Sequence, residues 1–512
     1  MAFAPSKYQQ AIFDWVTTGQ GSAVVEAVAG SGKTTTVVEA VKLIPRTKQV
    51  VLLAFNKSIA TELSNRINQP NVECKTLNAL GYAAIRRVIP GIQVDADKVS
   101  KATRALAEAQ TVTRNRDFIR KHGGLIMNLV CKAKVSGMAP AGAPEMRGLV
   151  QDTMEEWNAI VDHYSLNEDG VDIDTAIGFA RELLLDAATN AVKTGVVDFD
   201  DQFWLPILMN APFRNFDFIM VDEAQDVSDI QREILRRSMR RGSRLMAVGD
   251  PFQAIYGFRG ANPKSIQLIK EQFNAVSLPL SISYRCAQSV VALAKTLVPH
   301  IETSEVAPAG EVTTLGLNYK AKDFSATDMV VCRNNAPLVV MAYKLIAQGV
   351  ACTVRGRDIA AGLLSLIEKV SDGDMSMPIV AFLDDVDRWA AVQIERLTRK
   401  DPDADCSSII DKVDCINAVH TGINAKTAGD IYRAVTNLFG TDKTDAQLKG
   451  MLTLSSIHKA KGLEADKVFI LDAHLMPSKY AKADWELAQE RNMQYVAITR
   501  AKGTLCFIQS AE

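Results

Sequence analysis

Ala27-Val28-Ala29-Gly30-Ser31-Gly32-Lys33-Thr34 decides the fold. The apolar run Ala23-Val24-Val25 leads into it, and Thr35, Thr36, Val37 and Val38 follow. This order reads as a buried strand, a glycine-containing turn and the start of a helix. A helix N-terminus presents unpaired N–H groups and the positive end of the peptide dipole, so it binds phosphate. Gly30 and Gly32 let the backbone from Ala29 through Ser31 to Thr35 close around an anion with no Cβ in the way. Lys33 adds a positive charge, and the Thr34 hydroxyl is the type of group that ligates Mg²⁺. The strict pattern opens on glycine where this chain has Ala27, but the phosphate-cradling half is intact. The stretch predicts a nucleoside triphosphate site.

The chain has 512 residues, enough for roughly three or four domains. Hydrophobic residues make up 47% of it, as in globular proteins with full cores. No apolar run approaches a membrane span, and residues 1–10 lack the apolar stretch of a signal peptide. The eight cysteines form no C-x-x-C pair, so neither a zinc site nor a disulfide framework is expected, and a reducing, cytoplasmic compartment fits. A net charge of -1 gives no global signature for nucleic acid, although a groove needs only local positive charge. Basic clusters occur at Arg114, Arg116, Arg120, Lys121, Lys132 and Lys134, across 232–244, and at Lys459, Lys461 and Lys467. Each reads first as a solvated helix face.

Outward from the phosphate loop, short runs apolar on both faces occur at 50–55, 216–221, 244–248, 329–332, 467–471 and 504–508. Such runs suit central strands of parallel sheets covered on both sides by helices. They fall into two groups, which predicts two α/β nucleotide-fold cores. The first core is assigned to 1–87 and 193–275, the second to 276–358 and 450–512. Between their halves lie two helix-like insertions, 88–192 and 359–449, the latter with turn signals at Asp372-Gly373-Asp374 and Asp401-Pro402-Asp403.

The run 216–221 leads into Asp222-Glu223-Ala224-Gln225-Asp226. A buried strand ending in adjacent acids delivers both to the sheet edge where α/β proteins bind ligands. Asp222 suits Mg²⁺, and Glu223 suits the orientation or activation of a water. Next comes Gly249-Asp250-Pro251-Phe252-Gln253-Ala254-Ile255-Tyr256-Gly257-Phe258-Arg259-Gly260, with a polar sensor candidate, Gln253, near two aromatics and an arginine. Ser283-Tyr284-Arg285-Cys286, Ser456-Ile457-His458-Lys459-Ala460-Lys461-Gly462-Leu463-Glu464 and Tyr495-Val496-Ala497-Ile498-Thr499-Arg500-Ala501 complete the series.

In this order, along nearly the whole chain, the series resembles the superfamily-one DNA helicases of the UvrD/Rep/PcrA type. The resemblance implies two RecA-like cores and a DNA-dependent ATPase using ATP and Mg²⁺. It implies that Gln9 or Gln10 reads adenine and that Lys33 and Thr34 take the triphosphate and Mg²⁺. Asp222 and Glu223 become the metal and water residues, and Gln253 the γ-phosphate contact. Tyr284 resembles the residue that stacks on adenine, Glu464 the ribose-side acid, and Arg285 and Arg500 the two γ-phosphate arginines, delivered from the second core.

For DNA, the resemblance implies contacts from Asn56, Lys57, Thr76, Asn78, Tyr256, Phe258, Arg259 and His458. Three positions depart from the family pattern: Phe258 stands where tryptophan is common, Asn78 where histidine is common, and Phe55 lies one place beyond the usual aromatic. The second insertion is also shorter than in the larger members. The expected activity is movement on single-stranded DNA, 3′ to 5′ by resemblance, with single strands and DNA junctions as partners and no membrane. The alternative is an ATP-driven binding switch without processive unwinding. A small-molecule kinase leaves the distal arginines and Gln253 unexplained.

Overall fold

The computed structural model describes residues 4–164, 166, 171–257, 260–399, 406–439 and 450–509. The turn expected at Asp401-Pro402-Asp403 lies outside them. The chain divides into two compact units, Met1–Ala27 with Gly32–Leu280, and Val28–Ser31 with Ser281–Glu512. Each is built on one six-stranded sheet, and all pairings in both sheets are parallel.

The first sheet contains β1 (Ala23–Ala27), β2 (Val50–Ala54), β3 (Val72–Thr76), β4 (Phe216–Val221), β5 (Met239–Gly249) and β6 (Val276–Leu280). Its spatial order is β6-β1-β5-β4-β2-β3. Because side chains alternate across a strand, neighbouring residues enter different cores. Val25, Leu52 and Met220 pack with Ile12, Phe13 and Val37 on one face. Val24, Val51, Leu53 and Ile219 pack with Leu80, Trp204 and Ile234 on the other. Runs of Val, Ile and Leu are needed here because both faces are covered.

The expected first insertion is helical, with helices Lys98–Ala109, Thr113–Ser136, Met154–His163 and Ile173–Thr194. Their core, including Leu129, Trp157 and Leu184, is continuous with one face of the sheet. The basic cluster on Thr113–Ser136 is only partly a solvated face. Lys132 and Lys134 are both buried. Lys132 lies over the Tyr164 ring, 4.3 Å from its centroid. The Lys134 ammonium binds Asp198 Oδ2 at 2.5 Å and Asp201 Oδ1 at 2.8 Å, and Lys98 binds the other Asp201 oxygen at 2.5 Å. Burial works against the Lys134 charge, but Asp201 and Asp198 outweigh it and hold its pKa above the ordinary lysine value.

The second sheet contains β7 (Glu311–Leu315), β8 (Met329–Cys332), β9 (Cys352–Arg355), β10 (Leu452–Ser456), β11 (Ala465–Leu471) and β12 (Ala501–Ile508), in the order β7-β12-β11-β8-β10-β9. Between β9 and β10 come helices Arg357–Val370, Ile379–Thr398, Ser407–Ile423 and Ala428–Leu438, which share a core with the sheet through Leu363, Phe382, Ile416 and Ile431. The expected division between the cores needs one correction. Val276–Leu280, assigned to the second core from sequence, pairs with β1 as an edge of the first sheet. Among the described residues no helix is long and apolar enough to cross a membrane.

Lys134→Met keeps the length of the side chain but leaves two buried carboxylates without one of their cations. The variant should lose about 3–5 kcal/mol of stability in denaturant unfolding. A loss within the range of ordinary surface substitutions would show that the network contributes little to the unit.

Candidate functional site

In the first unit the acids stand at the C-terminal ends of β4 and β5, which are paired neighbours and follow β1 in the sheet order. Gly32 has φ +77 and caps the helix Lys33–Lys42, whose first turn carries Lys33, Thr34 and Thr35. Lys33 Nζ lies 3.4 Å from both carboxylate oxygens of Glu223. Burial lowers the Lys33 pKa, but Glu223, Asp250 and Asp222 together raise it above the usual value. Asp222 is pushed up to about 6, by burial first and by Glu223 second. Asp250 is also pushed up to about 6 by burial, against the pull of Lys33.

Glu223 has φ +52, in the left-handed region that non-glycine residues seldom occupy. Its N–H donates to Asp222 Oδ1 at 2.9 Å, and its carboxylate accepts from Gln225 Nε2 at 2.5 Å. Gln225 Oε1 in turn accepts the Asp250 N–H at 3.0 Å, and Asp250 Oδ2 accepts from Gln253 Nε2 at 2.7 Å. A continuous chain therefore runs from Lys33 through Glu223, Gln225 and Asp250 to Gln253. Sequence reading quoted Gln225 and Asp250 without giving either a role. The available signal was an acid at the end of the next strand, but its approach to Lys33 depends on strand order.

The two glutamine candidates separate. Gln9 is buried, and its Nε2 donates to Thr36 Oγ1 at 3.0 Å on the phosphate-loop helix. Gln10 is exposed and bonds Asp14, so it is not brought to the loop.

The four loop residues Val28–Ser31 belong by their contacts to the second unit. Gly30 has φ +71, and a Cβ there would come within 2.4 Å of Arg285 Cβ. Its carbonyl accepts the Tyr284 N–H at 2.8 Å, and the Ala29 N–H donates to the Tyr495 hydroxyl at 2.9 Å. The Tyr284 ring is exposed.

The second unit brings Arg285, Glu464 and Arg500 together. Arg285 Nε lies 2.6 Å from Glu464 Oε2, and its Nη1 reaches the Thr499 carbonyl at 3.4 Å. Arg500 is only 1% exposed and donates to the carbonyls of Val496 and Leu463 at 2.9 and 3.1 Å. His458 sits half-buried on the short helix Ile457–Ala460. Lys502, which pairs with Glu464 at 2.9 Å, and Tyr495, which accepts from the loop, belong to none of the roles expected from sequence.

The donors fit a triphosphate with a divalent cation. Ser31 Oγ is buried in the loop with no hydrogen-bond partner among the described residues. Lys33 faces the three carboxylates of Asp222, Glu223 and Asp250, each of which raises its pKa. Among the described residues no three His, Cys, Asp or Glu side chains are grouped as a metal cage. Mg²⁺ ordinarily takes one or two carboxylates together with waters and phosphate oxygens, so a full cage is not required.

The strand-contact candidates lie beyond β2 and β3 on the same sheet edge. Asn56 Oδ1 caps the helix Lys57–Ile67 by accepting the Ile59 N–H at 2.9 Å, and Thr76 Oγ1 caps Leu77–Ile85 by accepting the Ala79 N–H at 3.2 Å. Lys57 is exposed, whereas Asn78 Nδ2 reaches the Phe199 carbonyl at 3.5 Å. Phe55, half exposed and displaced from the usual family register, lies nearly parallel to Tyr256, with centroids 6.0 Å apart and planes 12° apart. The pair borders a cavity of about 160 Å³ that also touches Asp226 and Gln231. Phe258 and Arg259 lie outside the described residues.

Comparison with known proteins gives the same direction. Residues 8–274 match the UvrD/REP helicase N-terminal domain, and residues 430–512 match the UvrD-like helicase C-terminal domain. The chain is 25% identical to the ATP-dependent DNA helicase UvrD2 of Mycobacterium tuberculosis, over 94% of this chain and 76% of that protein. It is 24% identical to the F-box DNA helicase protein 1 of Schizosaccharomyces pombe, over 94% and 55% of the two chains. It is 25% identical to the ATP-dependent DNA helicase Rep of Salmonella typhimurium, over 60% and 46%. The N-terminal match alone spans more than half of the sequence, so the chain belongs to the UvrD/REP helicase family.

Proposed function

We propose that this protein is a DNA-dependent ATPase that moves 3′ to 5′ on single-stranded DNA, engages DNA junctions and acts in the cytoplasm. The observation that carries the reading is the group Lys33, Asp222, Glu223 and Asp250, with both aspartates buried, beside the start of the helix Lys33–Lys42. In this reading Lys33 and the loop Ala29–Thr35 hold the triphosphate. Gln9 lies on the adenine side, Tyr284 stacks on the base and Glu464 takes the ribose. Thr34 and Asp222 hold Mg²⁺, which supplies charge neutralisation on the phosphate oxygens.

Glu223 orients the attacking water and accepts its proton. Its bonds from Lys33 and Gln225 limit the directions in which the carboxylate can point. Arg285 and Arg500 stabilise the charge that develops on the transferred phosphoryl group. The two cores, 1–87 with 193–280 and 281–358 with 450–512, close on ATP and open after hydrolysis. The insertions 88–192 and 359–449 are accessory to that cycle. Phe55, Asn56, Lys57, Thr76, Asn78, Tyr256, Phe258, Arg259 and His458 are the proposed contacts to the strand.

The test is ATP hydrolysis with single-stranded DNA of several lengths, alongside a translocation assay. A motor gives stimulation that depends on strand length and measurable movement. Length-independent stimulation without movement would assign the chain to the binding-switch class.

Glu223→Gln preserves shape and most hydrogen bonding but removes the proton acceptor. ATP should still bind while turnover falls by about 10²-fold or more. Lost ATP binding with normal chemistry once bound would make Glu223 a structural residue.

Phe55→Ala with Tyr256→Ala removes two ring faces. Each lost stack should weaken strand binding by about 1–3 kcal/mol, lowering DNA stimulation while DNA-independent ATP hydrolysis persists. The salt dependence of binding should hold, since base contacts release no counterions. Unaltered DNA stimulation in a stable variant would mean that the strand runs elsewhere.

A further inference from the structure

In the second unit one carboxylate is shared by two cations. Glu464 Oε2 binds Arg285 Nε at 2.6 Å, and Glu464 Oε1 binds Lys502 Nζ at 2.9 Å. Backbone hydrogen bonds hold the three segments in register: the Ala465 N–H donates to the Arg500 carbonyl at 3.1 Å, and the Ala287 N–H to the Lys502 carbonyl at 2.7 Å. Exposure rises from 20% for the Arg285 side chain to 37% for Glu464 and 42% for Lys502, so a dissolved anion can reach the cluster. No role for Lys502 follows from the phosphate loop, the acid pair or the arginines.

We propose that Glu464 is an internal stand-in for phosphate on Arg285, and that Lys502 is the positioning residue that lets the stand-in be displaced. The inference rests on the proposed assignment of Arg285 to the nucleotide phosphates. An ion pair this exposed is weak enough to exchange. A polyphosphate carries more negative charge than one carboxylate and competes for the guanidinium. When Arg285 turns to it, Glu464 would be left with an unbalanced charge next to an incoming anion. Lys502 already holds the other oxygen and keeps the carboxylate neutralised once Arg285 has left it. The pair thus sets the polyphosphate concentration at which Arg285 is released, without entering the reaction.

Inorganic tripolyphosphate isolates this exchange because it has neither ribose nor base. Its inhibition constant against ATP hydrolysis is read at fixed ionic strength and Mg²⁺ in the full chain, in Lys502→Met, in Glu464→Gln and in the double variant. Lys502→Met should weaken tripolyphosphate by about two- to fivefold and raise the ATP KM more than it lowers kcat. Glu464→Gln should tighten tripolyphosphate by a similar factor. In the Glu464→Gln background, Lys502→Met should change nothing, and Lys502→Arg should retain wild-type inhibition in an otherwise unaltered chain. If Lys502→Met weakens inhibition equally in both backgrounds, Lys502 acts directly on the anion and the displacement model is overturned. Equal inhibition of all four proteins overturns it as well, while leaving the ATPase assignment intact. A wild-type chain that neither hydrolyses ATP nor responds to tripolyphosphate overturns the assignment itself.

Discussion

The first unit is organised around a charge imbalance at one end of its sheet. Asp222, Glu223 and Asp250 surround Lys33, and burial is the leading cause of the raised pKa of both Asp222 and Asp250. A buried carboxylate without full compensation costs stability, and the cost is relieved by protons or by added cations. Both acids have folded-state pKa values above their usual ones, so their ionisation opposes folding as pH rises through that range. The sheet tolerates this because Val, Ile and Leu cores on both faces fix the strand ends.

The second sheet shows why an acid at a strand end does not make a site by itself. Asp472 follows β11 with φ +50 and leads into the turn Ala473–Leu475, much as Glu223, with φ +52, leads into Ala224–Asp226. Burial raises the Asp472 pKa as well, with His474 and Lys344 opposing it. What distinguishes the first sheet is the lysine at a helix start with a second acid on the adjacent strand. Backbone strain at Glu223 aims its carboxylate at that lysine, which gives the left-handed turn a chemical consequence there.

The central strands other than Leu452–Ser456, whose LTLSS run breaks the apolar pattern, and both helical insertions were legible because burial on both faces demands continuous apolar runs. The edges were not. Val276–Leu280 reads VSLPL and is largely exposed, and Glu311–Leu315 is exposed along most of its length. Val72–Thr76 is half-buried throughout, and its Glu73 and Lys75 interrupt any apolar pattern. The phosphate loop and the acid pair were readable because they are local in sequence. Asp250 beside Lys33, Lys502 on Glu464, and Phe55 against Tyr256 join residues far apart in the chain, and only the strand order brings them together. Lys134 is the opposite case: as one of a run of basic residues it suggests a solvent face, yet its partners Asp198 and Asp201 lie more than sixty residues on.

The order β6-β1-β5-β4-β2-β3 puts two kinds of chemistry along one edge. The phosphate loop follows β1, and the acids follow β5 and β4. The helix caps Asn56 and Thr76 follow β2 and β3, four strand spacings from β1 at most, or about 19 Å. The segment after β5 connects the halves. It starts at Asp250, which is bonded to Gln253, and continues to Tyr256 against Phe55 at the end of β2. One hydrogen bond and three further residues of chain therefore separate Asp250 from an aromatic pair. A separation this short would let the segment shift without rearranging the parallel ladder. That proximity is what favours the proposed coupling of nucleotide chemistry to strand grip.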